Sequence, residues 1–270
     1  MSTATTHEST APTVAAAIGL PFDVEPGPLE IDRRLNGPRR SANGGFAAGT
    51  IASRVDSDTV TVVLRRPIRL GVPLEVSSES TGAVAVQDKG VLVAEARPGR
   101  LVASVAPPAP SFDDARLARE AHPFLGVRHS LSDCVVCGPA RTDGMHVTPG
   151  PVQGRPGILA APWVVGAQNA HAGIADFPTV WAAMDCPSFP AAALENRVMS
   201  VLGTMTARVE RRPFVGESLV VYSWTREQHG RRYETSVAIV DAAGVQIARA
   251  DATWIAVKRQ RLVRLFPHLL

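Results

Sequence analysis

The chain has 270 residues, 45% of them hydrophobic and 20% charged, and a formal net charge of +3. This composition fills one or two packed domains and excludes wholesale disorder. Lysine occurs only at Lys89 and Lys258, the arginines are scattered, and no basic stripe is interleaved with aromatics, so no nucleic-acid partner is expected.

Residues 1–17 are rich in Ser, Thr and Ala and read as a flexible tail. They lack the basic start and apolar core of a signal peptide. No apolar run is long enough to span a membrane, so a cytoplasmic chain with no membrane span is expected. An N-terminal module is expected over 18–102. It opens with a helix over 44–54 and continues with extended segments at 60–64, 74–78, 83–86 and 91–96. Residues 103–177 read as a Pro-rich linker followed by an irregular structured connection. A C-terminal module with its tail follows over 178–270. It is expected to hold a helix over 187–197 and extended segments at 202–210, 218–224, 233–240 and 245–255. Apolar and polar residues alternate along 245–252, as a half-exposed strand requires.

The two modules share a pattern. Arg65-Arg66-Pro67, then Gly71 and Leu74, matches Arg211-Arg212-Pro213, then Gly216 and Leu219. Gly90-Val91 and the strand after it match Gly244-Val245 and its strand, and Gly44-Gly45-Phe46 falls opposite Pro187-Ser188-Phe189. The offset rises from 143 to 146 to 154, as longer loops in the second half would produce. A helix followed by antiparallel strands is an α+β layer, and two such layers can pair edge to edge, which removes an exposed edge from each.

These features resemble the thioesterase-like hotdog superfamily in its double form. Asn43-Gly44-Gly45-Phe46 is similar to the family's His-Gly-Gly-aromatic helix start, with Asn43 in place of the histidine. The strand at 60–64 and the Arg66-Pro67 turn continue the match, and 181–187, with Asp185, looks like the family's helix start that begins with an acidic residue. The resemblance implies a tandem hotdog fold: two antiparallel sheets, each wrapped on a helix and joined into one continuous sheet. It implies acyl chains bound between the modules and hydrolysis of an acyl-CoA or acyl-carrier thioester. In that chemistry a carboxylate activates water and a helix N-terminus polarises the carbonyl. Coenzyme A enters only as part of the substrate, and no other cofactor is expected. A homodimer through the remaining sheet edges is a further implication. The alternatives are a non-catalytic acyl-ligand-binding protein and a hotdog dehydratase or hydratase. The last would pair an Asp with a His, and no His adjoins either expected helix start.

Asp185 is the first candidate, as general base for water. It is read as lying just before a helix, where an acid also serves as a cap. The matching residue of the first half at an offset of 143 is Ala42, and a lone catalytic carboxylate accounts for that asymmetry. Asn43, Gly44 and Gly45 are the second candidate. Backbone N–H groups at a glycine-rich helix start can hold a carbonyl oxygen as charge develops on it. Ser188 and Thr204 are hydroxyls able to orient the water. Phe46, Trp181 and Phe189 are expected to wall the acyl pocket. Cys134-Val135-Val136-Cys137-Gly138 is half of a zinc ribbon, with Cys186, His146 and His171 as nearby partners. Packed thiols without a metal are the expectation there, and Cys186 reads as a small buried residue rather than a nucleophile.

Overall fold

The computed structural model describes residues 27–127, 131–139, 141–258 and 260. The expected 1–17 tail and the apolar C-terminal stretch 262–270 lie outside these residues. Helix α1 (Gly44–Ala52) precedes strands β1 (Thr59–Leu64), β2 (Glu75–Ser78), β3 (Val84–Asp88) and β4 (Val91–Pro98). Helix α2 (Phe112–Glu120), β5 (Gly150–Pro151), β6 (Ile158–Val164) and the ribbon β7 (Ala170–His171) and β8 (Ile174–Ala175) come next. Then follow α3 (Phe177–Asp185), α4 (Ala191–Glu195), β9 (Ser200–Val209), β10 (Ser218–His229), β11 (Arg232–Val240) and β12 (Gln246–Ala256).

Ten strands form one antiparallel sheet in the order β2-β3-β4-β1-β9-β12-β11-β10-β6-β5. The two halves meet where β1 pairs with β9, and Thr61 sits opposite Thr206. Their hydroxyls are 2.8 Å apart. From that pair the order β1-β4-β3-β2 runs one way and β9-β12-β11-β10 the other, so the junction is a pseudo-twofold axis. Two edges are closed against each other, which is what the edge-to-edge reading required.

One face of the sheet carries α1 and α3. Val60, Val62, Ala94, Ala96, Met205, Ala207, Val237 and Ile239 point to it and are buried with Phe46, Ile51, Trp181 and Met184. Burying a side chain such as Ile51 fully contributes about 1.5–3 kcal/mol. The other face is crossed by the linker. Val102 N–H donates to Asp251 Oδ2 at 2.6 Å, Arg249 donates to Ser104, and Tyr222 donates to the Pro107 carbonyl. Helix α2 then covers Val220, Tyr222, Trp224 and Ala238 on that face. It is capped by a reciprocal Ser111–Asp114 box.

Two expectations change. The helix expected over 187–197 is only a short turn at Cys186–Ser188 and the five-residue α4; the main helix of the second half is α3. Its sequence FPTVWAAMD is apolar almost throughout and buries nearly every residue, so it shows no amphipathic period. The connection over 103–177 supplies β6, which pairs with β10. Among the described residues no helix is long and apolar enough to cross a membrane.

Candidate active site

Backbone hydrogen bonds fix the correspondence of the halves. Ala42 N–H donates to Ile68 O, and Ala175 N–H donates to Pro213 O. Gly71 N–H donates to Ile31 O, and Gly216 N–H donates to Val165 O. Asn43 therefore corresponds to Asp176, Gly45 to Pro178 and Ala52 to Asp185, each 133 apart, whereas Gly71 and Gly216 are 145 apart. The insert lies after α3. The counterpart of Asp185 is thus Ala52, not Ala42, and Asp185 ends a helix rather than preceding one.

The helices run antiparallel and touch. A Cβ on Gly45 would stand 2.6 Å from Asp185 Cβ and 2.7 Å from Ala182 Cα, and one on Gly49 would stand 2.7 Å from Pro178 Cα. Glycines four residues apart therefore let α1 lie directly on α3, and this brings the C-terminal end of α3 to the N-terminal end of α1. Gly45 serves close helix packing and is buried, whereas Gly44, expected with it to let a ligand approach, is partly exposed.

Asp185 Oδ2 accepts from Gly45 N–H at 3.0 Å and from Asn43 Nδ2 at 2.7 Å. Asn43 also caps α1, its Oδ1 accepting from Phe46 N–H at 3.0 Å. One amide thus joins the cap to the carboxylate. Helix α1 has no acid in its own first turn, and Asp185 supplies the negative charge its dipole favours. Asp185 is 4% exposed and Asn43 2%. Burial pushes the Asp185 carboxyl up to about 7, although the Gly45 N–H, Asn43 and the Gly44 N–H hold the charged form. Its Oδ1 is buried with no hydrogen-bond partner among the described residues. A Cβ on Gly44 would meet Leu202 at 3.0 Å and Asp185 Oδ2 at 3.3 Å. Gly44, Leu202 and Cys186 form the partly exposed rim of this site.

The structure thus brings Asp185, Asn43, Gly44 and Gly45 together from both halves. The other expected residues do not join them as imagined. Ser188 is fully buried: its Oγ donates to Asp185 O at 2.7 Å and accepts from Trp254 Nε1 at 3.0 Å. It fastens the end of α3 to the sheet, its one donor is spent on the Asp185 carbonyl, and it has no exposed surface. Thr204 shares a face of β9 with Thr206, opposite Met205 and Ala207, and so points away from the helices. Phe46 is core, and Trp181 is wedged between α1 and α3 with Phe177 beside it. Phe189, partly exposed, packs edge-on against Trp254, in a cluster that Leu202 of the rim also adjoins.

The three cysteines, expected as packed thiols, are free and meet beside this site. The stretches 131–139 and 141–147 fold back over the helix ends, with Val135 N–H donating to Asn36 O and Met145 N–H donating to Val135 O. Cys134, Cys137 and Cys186 place their sulfurs within 4.8 Å of one another, without His146 or His171. Asn43 Nδ2 lies 3.8 Å from Cys134 Sγ and 4.0 Å from Cys186 Sγ. Hydrogen bonds from Cys137 and then Cys186 hold the Cys134 thiol well below its ordinary value, and the same contacts with Cys134 push both partners well above theirs.

No protein-family model matches the chain, and no curated protein matches it in sequence. Solved structures do match. The tesB protein of Mycobacterium avium subspecies paratuberculosis is 13% identical with a TM-score of 0.54, over 83% of this chain and 90% of that one. Acyl-CoA thioesterase II TesB2 of Mycobacterium marinum is 14% identical with a TM-score of 0.50, over 84% and 91%. A hotdog-fold protein of unknown function from Alicyclobacillus acidocaldarius is 13% identical with a TM-score of 0.51, over 84% and 91%. The fold is the double hotdog that the sequence resemblance implied.

Proposed function

We propose that the chain hydrolyses an acyl thioester, with coenzyme A as the carrier, at the junction of α1 and α3. The observation that carries this is Asp185: an acid from one half, held by Asn43 and Gly45 N–H of the other, with its second oxygen unpartnered. Entry of the acyl group opens the buried Oδ1 to one water, which gives its proton to the carboxylate as its oxygen attacks the thioester carbonyl. The carbonyl oxygen takes the negative charge at the start of α1, where it draws on the Gly44 N–H that otherwise helps to hold Asp185. The C–S bond then breaks, the proton on Asp185 passes to the departing thiolate, and free acid and thiol leave. A carboxyl titrating near neutrality is suited to both transfers. The fold shared with the TesB thioesterases supports the same reading.

A second reading, binding of an acyl ligand without turnover, has one specific support: the Gly45 N–H is already engaged by Asp185. Thiol release from short, medium and long acyl-CoAs separates the two. Turnover in the parent is expected to fall about 10²–10⁴-fold in Asp185→Asn. The variant is expected to keep its fold. In the parent, a carboxyl raised from 3.8 to about 7 contributes stability fully present below pH 3.8 and lost as pH rises through 7. Asparagine has no such loss, so above pH 7 Asp185→Asn melts at or above the parent's temperature. Equal turnover in both proteins would remove Asp185 from the mechanism, and tight binding without turnover would favour the second reading.

A further inference from the structure

We propose that Cys134, Cys137 and Cys186 bind one Zn²⁺, which clamps the 131–147 segment onto the end of α3. The inference goes beyond the thioesterase reading and does not depend on it. Three independent features carry it.

The first is sulfur geometry. The three Sγ atoms lie mutually within 4.8 Å, and Cys134 and Cys186 are 3.9 Å apart. At a Zn–S bond of about 2.3 Å, two sulfurs of a tetrahedral site stand about 3.8 Å apart. A disulfide needs about 2.05 Å, and three thiols cannot all pair in one chain. The second is the turn. Gly138 N–H donates to Cys134 O at 2.8 Å, and Thr148 Oγ1 donates to Cys137 O at 2.9 Å. A Cβ on Gly138 would lie 2.5 Å from that Cys134 oxygen. Only glycine closes the turn tightly enough to present both sulfurs to Cys186. The third is the polar surround. The thiols border the hydrophobic core, yet polar groups reach them as well. The Asn43 amide lies within reach of two of the sulfurs and also holds the carboxylate of Asp185, which is 4% exposed and whose Oδ1 has no partner among the described residues. Amide donors to metal-bound thiolates are the usual supporting contacts of such a site.

Zn²⁺ is the occupant these donors select, because thiolates favour a borderline-soft ion. On binding, the thiols release their protons to solvent and the sulfurs coordinate as thiolates. Three sulfurs leave one tetrahedral position, which a water fills. Asn43 touches both the sulfurs and Asp185, so the ion also holds the carboxylate in register with α1.

The test uses the full chain, purified reduced, stripped with a chelator and titrated with Zn²⁺ against a competing metal dye. Saturation at a single Zn²⁺ per chain is expected, with affinity at least about tenfold weaker in Cys137→Ser and in Cys186→Ser. Co²⁺ should give thiolate-to-metal charge-transfer absorption and the visible bands of a tetrahedral ion. No saturable binding to the folded parent would overturn the proposal, as would binding that all three Cys→Ser variants retain. These readouts need no substrate. A chain that turns over thioesters without holding Zn²⁺ sinks only this inference; one that holds Zn²⁺ without turnover sinks only the functional reading.

Discussion

The two ends of the α1–α3 pair occupy equivalent places and differ in every group that matters. At one end Asn43, Gly44 and Gly45 face Asp185. At the other, Asp176, Phe177 and Pro178 face Ala52. Pro178 has no N–H to offer, Phe177 carries a buried ring at the position of Gly44, and Ala52 has no carboxylate. Asp176 makes no side-chain capping bond, and burial raises its pKa. A doubled fold could in principle hold two sites. Here one end has kept donors and acid together and the other has been given to packing.

That contrast can be broken by moving the acid. Ala52→Asp puts a carboxylate in a place 1% exposed, where Pro178 replaces the donor that Gly45 supplies to Asp185. It should cost about 3 kcal/mol or more in a denaturant melt and create no activity in an Asp185→Asn background. A stable, active double variant would show that the second end needs nothing but an acid. Gly45→Ala tests the packing side. Its Cβ would meet Asp185 and the α3 backbone at 2.6–2.8 Å, so the helices must part. A loss of about 1–3 kcal/mol is expected, with turnover falling alongside because the carboxylate leaves the α1 N-terminus. Ser188→Ala is the mildest. It strands the buried Trp254 Nε1 and costs about 1–2 kcal/mol, but thiol release should stay within about tenfold of the parent. A collapse of turnover with an intact melt would return Ser188 to the chemistry.

Much of this was legible beforehand, for physical reasons. Strands with one solvated face alternate, so β12 and its partners could be read directly. The Gly71 and Gly216 turns have positive φ, which leaves glycine a visible mark. Asp185 and the Gly44–Gly45 turn stand out in the sequence of different halves, and they meet. The error lay in the helix of the second half. A helix buried all round has no period to see, whereas a chance likeness between 187–191 and 44–48 supplied a false one. The signal that could have found α3 is Asp176 followed by Pro178, an N-cap with proline in the first turn. Which of Cys186, His146 and His171 joins the Cys134–Cys137 pair was not legible: Cys134 and Cys186 are 52 residues apart and meet only because a segment without regular structure folds back over the helices.

The most direct measurement of the central claim, one working end per chain, is a structure with an acyl-CoA analogue whose thioester sulfur is replaced by methylene. The account predicts one analogue per chain, with its carbonyl oxygen about 3 Å from Gly44 N and Asp185 within reach of the carbonyl carbon through one water. An analogue seated between Asp176 and Ala52, or carbonyls at both ends, would contradict it.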